Sequence, residues 1–206
     1  MRRVVASFLM VAASLGGPSM CAAREPNDVQ FRLEAGVCAI ASPRRYNDVV
    51  ELHGAPEIVS VGASLTPRRF ASASLDFGFF NLGRGTLSDF RPPNTVTTVE
   101  SSSLLTALVG LELRRPTADR RGPYLTTAIG WGRAFLGAAE VGSLTDPVAI
   151  RYPGTRLTGP VVSCGAGVRT PKVLDGPNIQ LDVRIVSLLS SGRSVSLIPV
   201  TIGFLF

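Results

Sequence analysis

The chain has 206 residues, a net charge of +6 and a mean hydropathy of +0.28, high for a water-soluble protein. Beyond the N-terminal region no stretch runs about eighteen apolar residues without charges or breakers, which excludes a helical membrane protein. Lys172 is the single lysine among many arginines, and no basic stripe with interleaved aromatics occurs, so nucleic acid is not an expected partner.

Arg2 and Arg3 precede an apolar run from Val4 to Leu15, followed by Gly16, Gly17, Pro18, Ser19, Met20, Cys21, Ala22 and Ala23. This is the layout of a secretory signal peptide, with cleavage expected after Ala23; the run is too short to span a bilayer as a helix. Met20 argues against Cys21 as an acylated lipoprotein cysteine. Residues 24–206 then form one domain, and loss of Arg2 and Arg3 leaves a net charge of about +4.

Period-two patterning divides the mature chain into eight segments. In the first, Val29 to Ile40, Val29, Phe31, Leu33, Ala35, Val37 and Ala39 alternate with Gln30, Arg32, Glu34, Gly36 and Cys38. The second, Glu57 to Thr66, directs Val59, Val61, Ala63 and Leu65 outward. The third, Arg69 to Leu82, sets Ala71, Ala73, Leu75, Phe77 and Phe79 against Ser72, Ser74, Asp76 and Gly78. The fourth, Thr97 to Arg114, carries Val99, Leu105, Ala107, Val109, Leu111 and Leu113. The fifth, Tyr124 to Leu136, carries Leu125, Ile129, Trp131 and Phe135, and the sixth, Thr155 to Thr170, carries Val162, Ala166 and Val168. In the seventh, Asn178 to Leu189, Ile179, Leu181, Val183 and Ile185 oppose Gln180, Asp182 and Arg184. The eighth, Ser194 to Phe206, places Ile198, Val200, Ile202, Phe204 and Phe206 on one face.

Short links alternate with loops of about fourteen to eighteen residues at Ala41–Pro56, Gly83–Val96 and Gly137–Gly154, the pattern of a meander whose turns are short on one side. Ser190 to Arg193 is the exception, a short link where a long one is expected. An apolar exterior spread over alternating strands reconciles the high hydropathy with the missing helix, because each strand gives half its residues to lipid.

At the terminal Phe and its apolar alternation, the chain resembles the small bacterial outer-membrane β-barrels of the OmpA, OmpX and OmpW kind. The resemblance implies an all-β, eight-stranded antiparallel up-and-down transmembrane barrel, in which Ile198, Val200, Ile202, Phe204 and Phe206 are the signal read by the barrel-assembly machinery. It also implies outer-membrane lipids and lipopolysaccharide as partners, and arginine suits their phosphates. A monomer is favoured over an oligomer.

Arg32, Glu34, Asp76, Glu112, Arg114, Asp182 and Arg184 fall on the inner face, where buried charges persist only when paired, so a salt-bridge network is expected to plug the lumen. Gly36, Gly62, Gly78, Gly110, Gly130, Gly132, Gly165, Gly167 and Gly203 supply the room. Aromatic girdles are expected from Phe70, Tyr124, Phe204 and Phe206 at the short-turn end and from Phe79, Phe80, Trp131 and Phe135 at the other.

Little points to catalysis or a metal. His53 is the lone histidine and sits in a loop without a neighbouring serine, unlike lipid-editing barrels of this family with their His and Ser sets. No cofactor and no metal are expected. Opposite strand parity predicts free thiols at Cys38 and Cys164. The expected role is structural or surface-interacting. Two alternatives stay open: a narrow pore or binding barrel for a small molecule, hydrophobic or otherwise, and a soluble lipocalin-like barrel with its apolar faces inside. A lumen sealed in this way gives no steady current, and replacing Arg32 or Asp76 with Ala should then create a leak.

Overall fold

A computed structural model describes residues 28–42, 45–47, 50–52, 56–68, 70–87, 95–114, 122–143, 150–170, 177–191 and 193–206. The signal segment and His53 lie outside the described residues.

Thirteen strands form in chain order: β1 (Asp28–Ser42), β2 (Arg45–Asn47), β3 (Val50–Leu52), β4 (Glu57–Arg68), β5 (Ala71–Leu87), β6 (Thr95–Val99), β7 (Ser101–Arg114), β8 (Gly122–Leu136), β9 (Ala139–Ser143), β10 (Ile150–Tyr152), β11 (Thr155–Arg169), β12 (Asn178–Ser190) and β13 (Arg193–Leu205). Eight of them close a ring in the order β1, β4, β5, β7, β8, β11, β12, β13 and back to β1. Every neighbouring pair is antiparallel and consecutive around the wall. The expected eight-stranded up-and-down barrel is therefore the observed one. Closure satisfies the backbone groups that open edges would leave unpaired. The seam between first and last strands is long, running from Arg32 opposite Leu205 to Ser42 opposite Ser196.

The long-loop side holds more strand than the sequence suggested. β5 continues to Leu87 and pairs there with β3, and β6, β9 and β10 form a separate three-stranded sheet. The predicted segment from Thr97 to Arg114 breaks at Glu100, which leaves the wall because its amide donates to the Ala138 carbonyl at 2.9 Å and its carboxylate accepts from the Ala138 amide at 3.2 Å. At the top of β5 the register slips between Asn81 and Gly83. Gly83 takes φ of 77°, a left-handed value that favours glycine, and donates its amide to the Asn81 side chain at 3.2 Å.

Side chains alternate strictly across the wall. Phe31 is 63% exposed, Ile129 68% and Leu125 62%, whereas Arg32, Asp76 and Glu112 are buried. An ordinary soluble barrel has the opposite arrangement, so the lipocalin-like alternative is overturned. Two expected girdle residues also face inward, because strand parity outranks aromatic character: Phe80 follows outward Phe79, and Tyr124 precedes outward Leu125.

Candidate functional site

Inward side chains fill the lumen in two zones. Toward the short turns the filling is ionic, and all seven predicted residues take part. Arg32 bonds Asp76 and stands 3.2 Å from Glu34. Glu34 also accepts from Ser60 at 2.9 Å, from Arg184 at 3.2 Å and from Gln180. Arg184 reaches Asp182 at 2.6 Å, and the Tyr124 hydroxyl donates to the same carboxylate at 2.9 Å.

Nearer the turns, Arg114 donates to Glu112 at 3.3 Å and to Ser72 at 2.7 Å. Arg169 completes this cluster, donating to Glu112 at 2.9 Å and to Gln180 at 3.4 Å while its guanidinium lies 5.2 Å from the Tyr124 ring centre. Gln180 thus joins the two clusters, using its amide nitrogen on Glu34 and its oxygen on Arg169. Arg32, Arg114, Arg169 and Arg184 face Glu34, Asp76, Glu112 and Asp182, so the network carries no net charge. Neutrality and mutual hydrogen bonding are what buried charges require.

Glycine makes the space. A methyl group at Gly62 would strike the Asp76 carboxylate, one at Gly167 the Tyr124 ring, and one at Gly203 would come within 2.8 Å of Glu34 and 2.9 Å of Gln180.

Toward the long loops the lumen is apolar, which departs from the expected all-ionic plug. Leu82, Leu104, Val161, Leu188, Val195 and Leu197 are almost wholly buried there, beneath Leu52 from β3. In this half both faces of a strand are apolar, as in Phe79–Phe80, Leu104–Leu105 and Leu188–Leu189. Those doublets are the sequence signal for the second zone, and a reading that looks only for alternation passes over them. Arg169 was missed for a different reason: its inward parity follows from outward Val168, but it stands at a strand end beside a turn.

Between the zones lies a cavity of about 30 Å³ lined by Glu34, Asp76, Phe80, Leu108, Arg184 and Val186, with room for a water or two. Among the described residues no group of three or more His, Cys, Asp or Glu side chains could hold a metal ion. Cys38 is buried and Cys164 exposed, and both are free thiols as predicted.

In β13 and the Phe206 that follows it, Val200 and Ile202 are exposed and Phe204 and Phe206 half-buried, all on the outward parity, while Leu197, Thr201 and Leu205 point inward. The outward face expected of the C-terminal strand is present.

No protein-family description matches the chain, and no curated protein matches it. Among known structures it is similar to Ail, the attachment invasion locus protein of Yersinia pestis, at 11% identity and a TM-score of 0.47 over 86% of this chain and 96% of that one. Neisserial surface protein A aligns at 12% identity and a TM-score of 0.47 over 86% of this chain and 94% of that one. The N-terminal barrel domain of Pseudomonas aeruginosa OprF aligns at 9% identity and a TM-score of 0.42 over 86% and 97%.

Proposed function

We propose that the chain is a bacterial outer-membrane barrel with a sealed lumen, which holds the strands and loops of its long-loop end at the cell surface. The observation that carries this reading is the inverted side-chain distribution. A closed wall shows Phe31, Phe77, Val109, Ile129 and Trp131 outward and encloses eight ionised groups that bond one another. In water that exterior is a large exposed apolar surface; against hydrocarbon it costs nothing, and the closed ladder leaves few amides unpaired. Short turns go with the periplasmic side of such barrels and longer loops with the exterior.

The double filling supports a structural or surface-interacting role over passage of a solute. An ionic plug alone opens when one charge is removed, but here an apolar plug stands above it, so the leak expected from Arg32→Ala or Asp76→Ala is withdrawn. No catalytic constellation was legible in the sequence, and the lumen's ionised groups are occupied with one another. The alternating face of β13 is proposed as the signal for the assembly machinery.

Planar-bilayer recording tests the seal. The wild-type protein and Arg32→Ala give no steady current, and a current appears only when Leu104, Leu188 and Leu197 are also replaced with Ser. A stable channel in the wild-type protein contradicts the sealed-lumen reading.

A further inference from the structure

Every neighbouring pair of the ring except β1 and β13 is joined through the chain, and a link limits how far two strands can slide. The seam has no such restraint. Alternation does not fix it either, because a slip of two residues returns every side chain to the same face.

On the lumen side the seam carries a bridge that skips a strand. Glu34 on β1, Gly203 on β13 and Gln180 on β12 lie on one rung, and the Gln180 amide donates to the Glu34 carboxylate above the glycine. The outer two strands are roughly 10 Å apart, twice the interstrand spacing, so their side chains meet only where the middle residue has none. A Cβ at Gly203 would stand 2.8 Å from Glu34 and 2.9 Å from Gln180. Arg184, also on β12, holds the same Glu34 oxygen at 3.2 Å.

The arrangement recurs round the wall. Arg32 on β1 bonds Asp76 on β5 across Gly62 on β4, and the Tyr124 hydroxyl on β8 donates to Asp182 on β12 at 2.9 Å across Gly167 on β11. On β7 the matching glycine, Gly110, lies between Ser74 and Ala128, and an alanine side chain cannot complete the bond. β1 thus reaches over both of its neighbours, and Glu34 is the side chain that spans the seam.

Sliding β1 by two residues removes this bridge in either direction. One slip sets Glu34 opposite Thr201, whose β12 partner is Asp182, so two carboxylates approach each other over a side chain. The other sets it opposite Leu205, which fills the gap and has Asn178 beyond it. Gly203 is the only glycine in β13, so one alignment of the seam accepts the bridge.

We propose that Glu34 and Gln180, meeting over Gly203, are a register lock that selects the alignment in which the last strand closes on the first. The lock acts in closing the ring, whether or not the lumen conducts.

Disulfide trapping across the seam tests it in the full chain folded in detergent, with Cys21, Cys38 and Cys164 replaced by Ser. On the outer wall Ala35 is paired with Ile202, and slips of two residues would bring it to Val200 or Phe204 instead. Oxidation therefore links Ala35→Cys to Ile202→Cys and scarcely links it to Val200→Cys or Phe204→Cys, which lie beyond disulfide reach in the native register. Gln180→Leu raises the off-register share about tenfold or more, the weight of a hydrogen bond to a charged group. Gln180→Glu does the same, and adding Glu34→Gln restores selectivity, because carboxylate and amide have exchanged strands and still meet. Leu104→Ala, in the apolar plug and away from the seam, leaves the share unchanged. Heat-modifiable gel migration selects the folded fraction, and if Gln180→Leu does not fold, the exchanged pair decides. Unchanged selectivity in Gln180→Leu overturns the lock, as does failure of the exchanged pair to restore it or an equal loss of selectivity in Leu104→Ala.

Discussion

Arg32→Ala removes the guanidinium that bonds Asp76 and approaches Glu34 at 3.2 Å, and the two carboxylates fare differently. Glu34 keeps Arg184 at 3.2 Å, Ser60 at 2.9 Å and Gln180, whereas Asp76 keeps only Ser74 at 3.1 Å among the described residues. The cost of the substitution therefore falls on Asp76. A buried ion pair broken from one side is destabilised by about 3–5 kcal/mol, mostly through the charge left behind. Removing that charge as well, in the Arg32→Ala, Asp76→Ala double variant, relieves part of the penalty, so the double variant is more stable than the sum of the singles by about 1–3 kcal/mol. Urea unfolding in lipid vesicles measures this through the fluorescence of Trp131, the only tryptophan in the chain. Single variants that each cost less than about 1 kcal/mol, or whose effects add within about 0.5 kcal/mol, refute the paired-plug account.

Adjacent leucines on β7 provide a parity test: Leu104→Ala opens a cavity in the apolar plug and costs about 2–5 kcal/mol, whereas Leu105→Ala on the lipid face costs far less, both read by the same unfolding assay. Val109, 60% exposed at mid-wall, tolerates Leu, but Val109→Arg destabilises by about 2–4 kcal/mol in vesicles, and a neutral result there argues against a lipid-facing position. Gly203→Val drives a branched side chain into Glu34 and Gln180 and lowers stability by about 1–3 kcal/mol, visible as a smaller heat-modifiable fraction on a detergent gel. Deleting Phe206 slows assembly into vesicles in the presence of purified assembly machinery while spontaneous folding in detergent stays unchanged; equal rates in both settings remove the proposed signal.

The barrel was legible because a strand with one lipid face and one polar lumen face writes its geometry at period two. Arg32, Glu34, Asp76 and Asp182 could be assigned inward from their neighbours alone, and their mutual bonding followed from the cost of leaving buried charges unpaired. The long-loop half was not legible in the same way. There the lumen and the lipid are both apolar, so Phe79 and Phe80, or Leu188 and Leu189, differ in environment without differing in character. That Arg169 meets Glu112 across the lumen and that Gln180 links both clusters depends on the stagger with which the whole ring closes, which the local pattern of a single strand does not carry. The extension of β5 and the sheet of β6, β9 and β10 arise from pairing among loops, where local pattern is weak.

Trp131 points outward from β8 and is 58% exposed on the barrel wall. In vesicles containing lipids brominated along their acyl chains, its fluorescence is strongly quenched, and aqueous iodide leaves it nearly unchanged. Iodide quenching with no effect of brominated lipid would place this wall in water and contradict the inverted barrel.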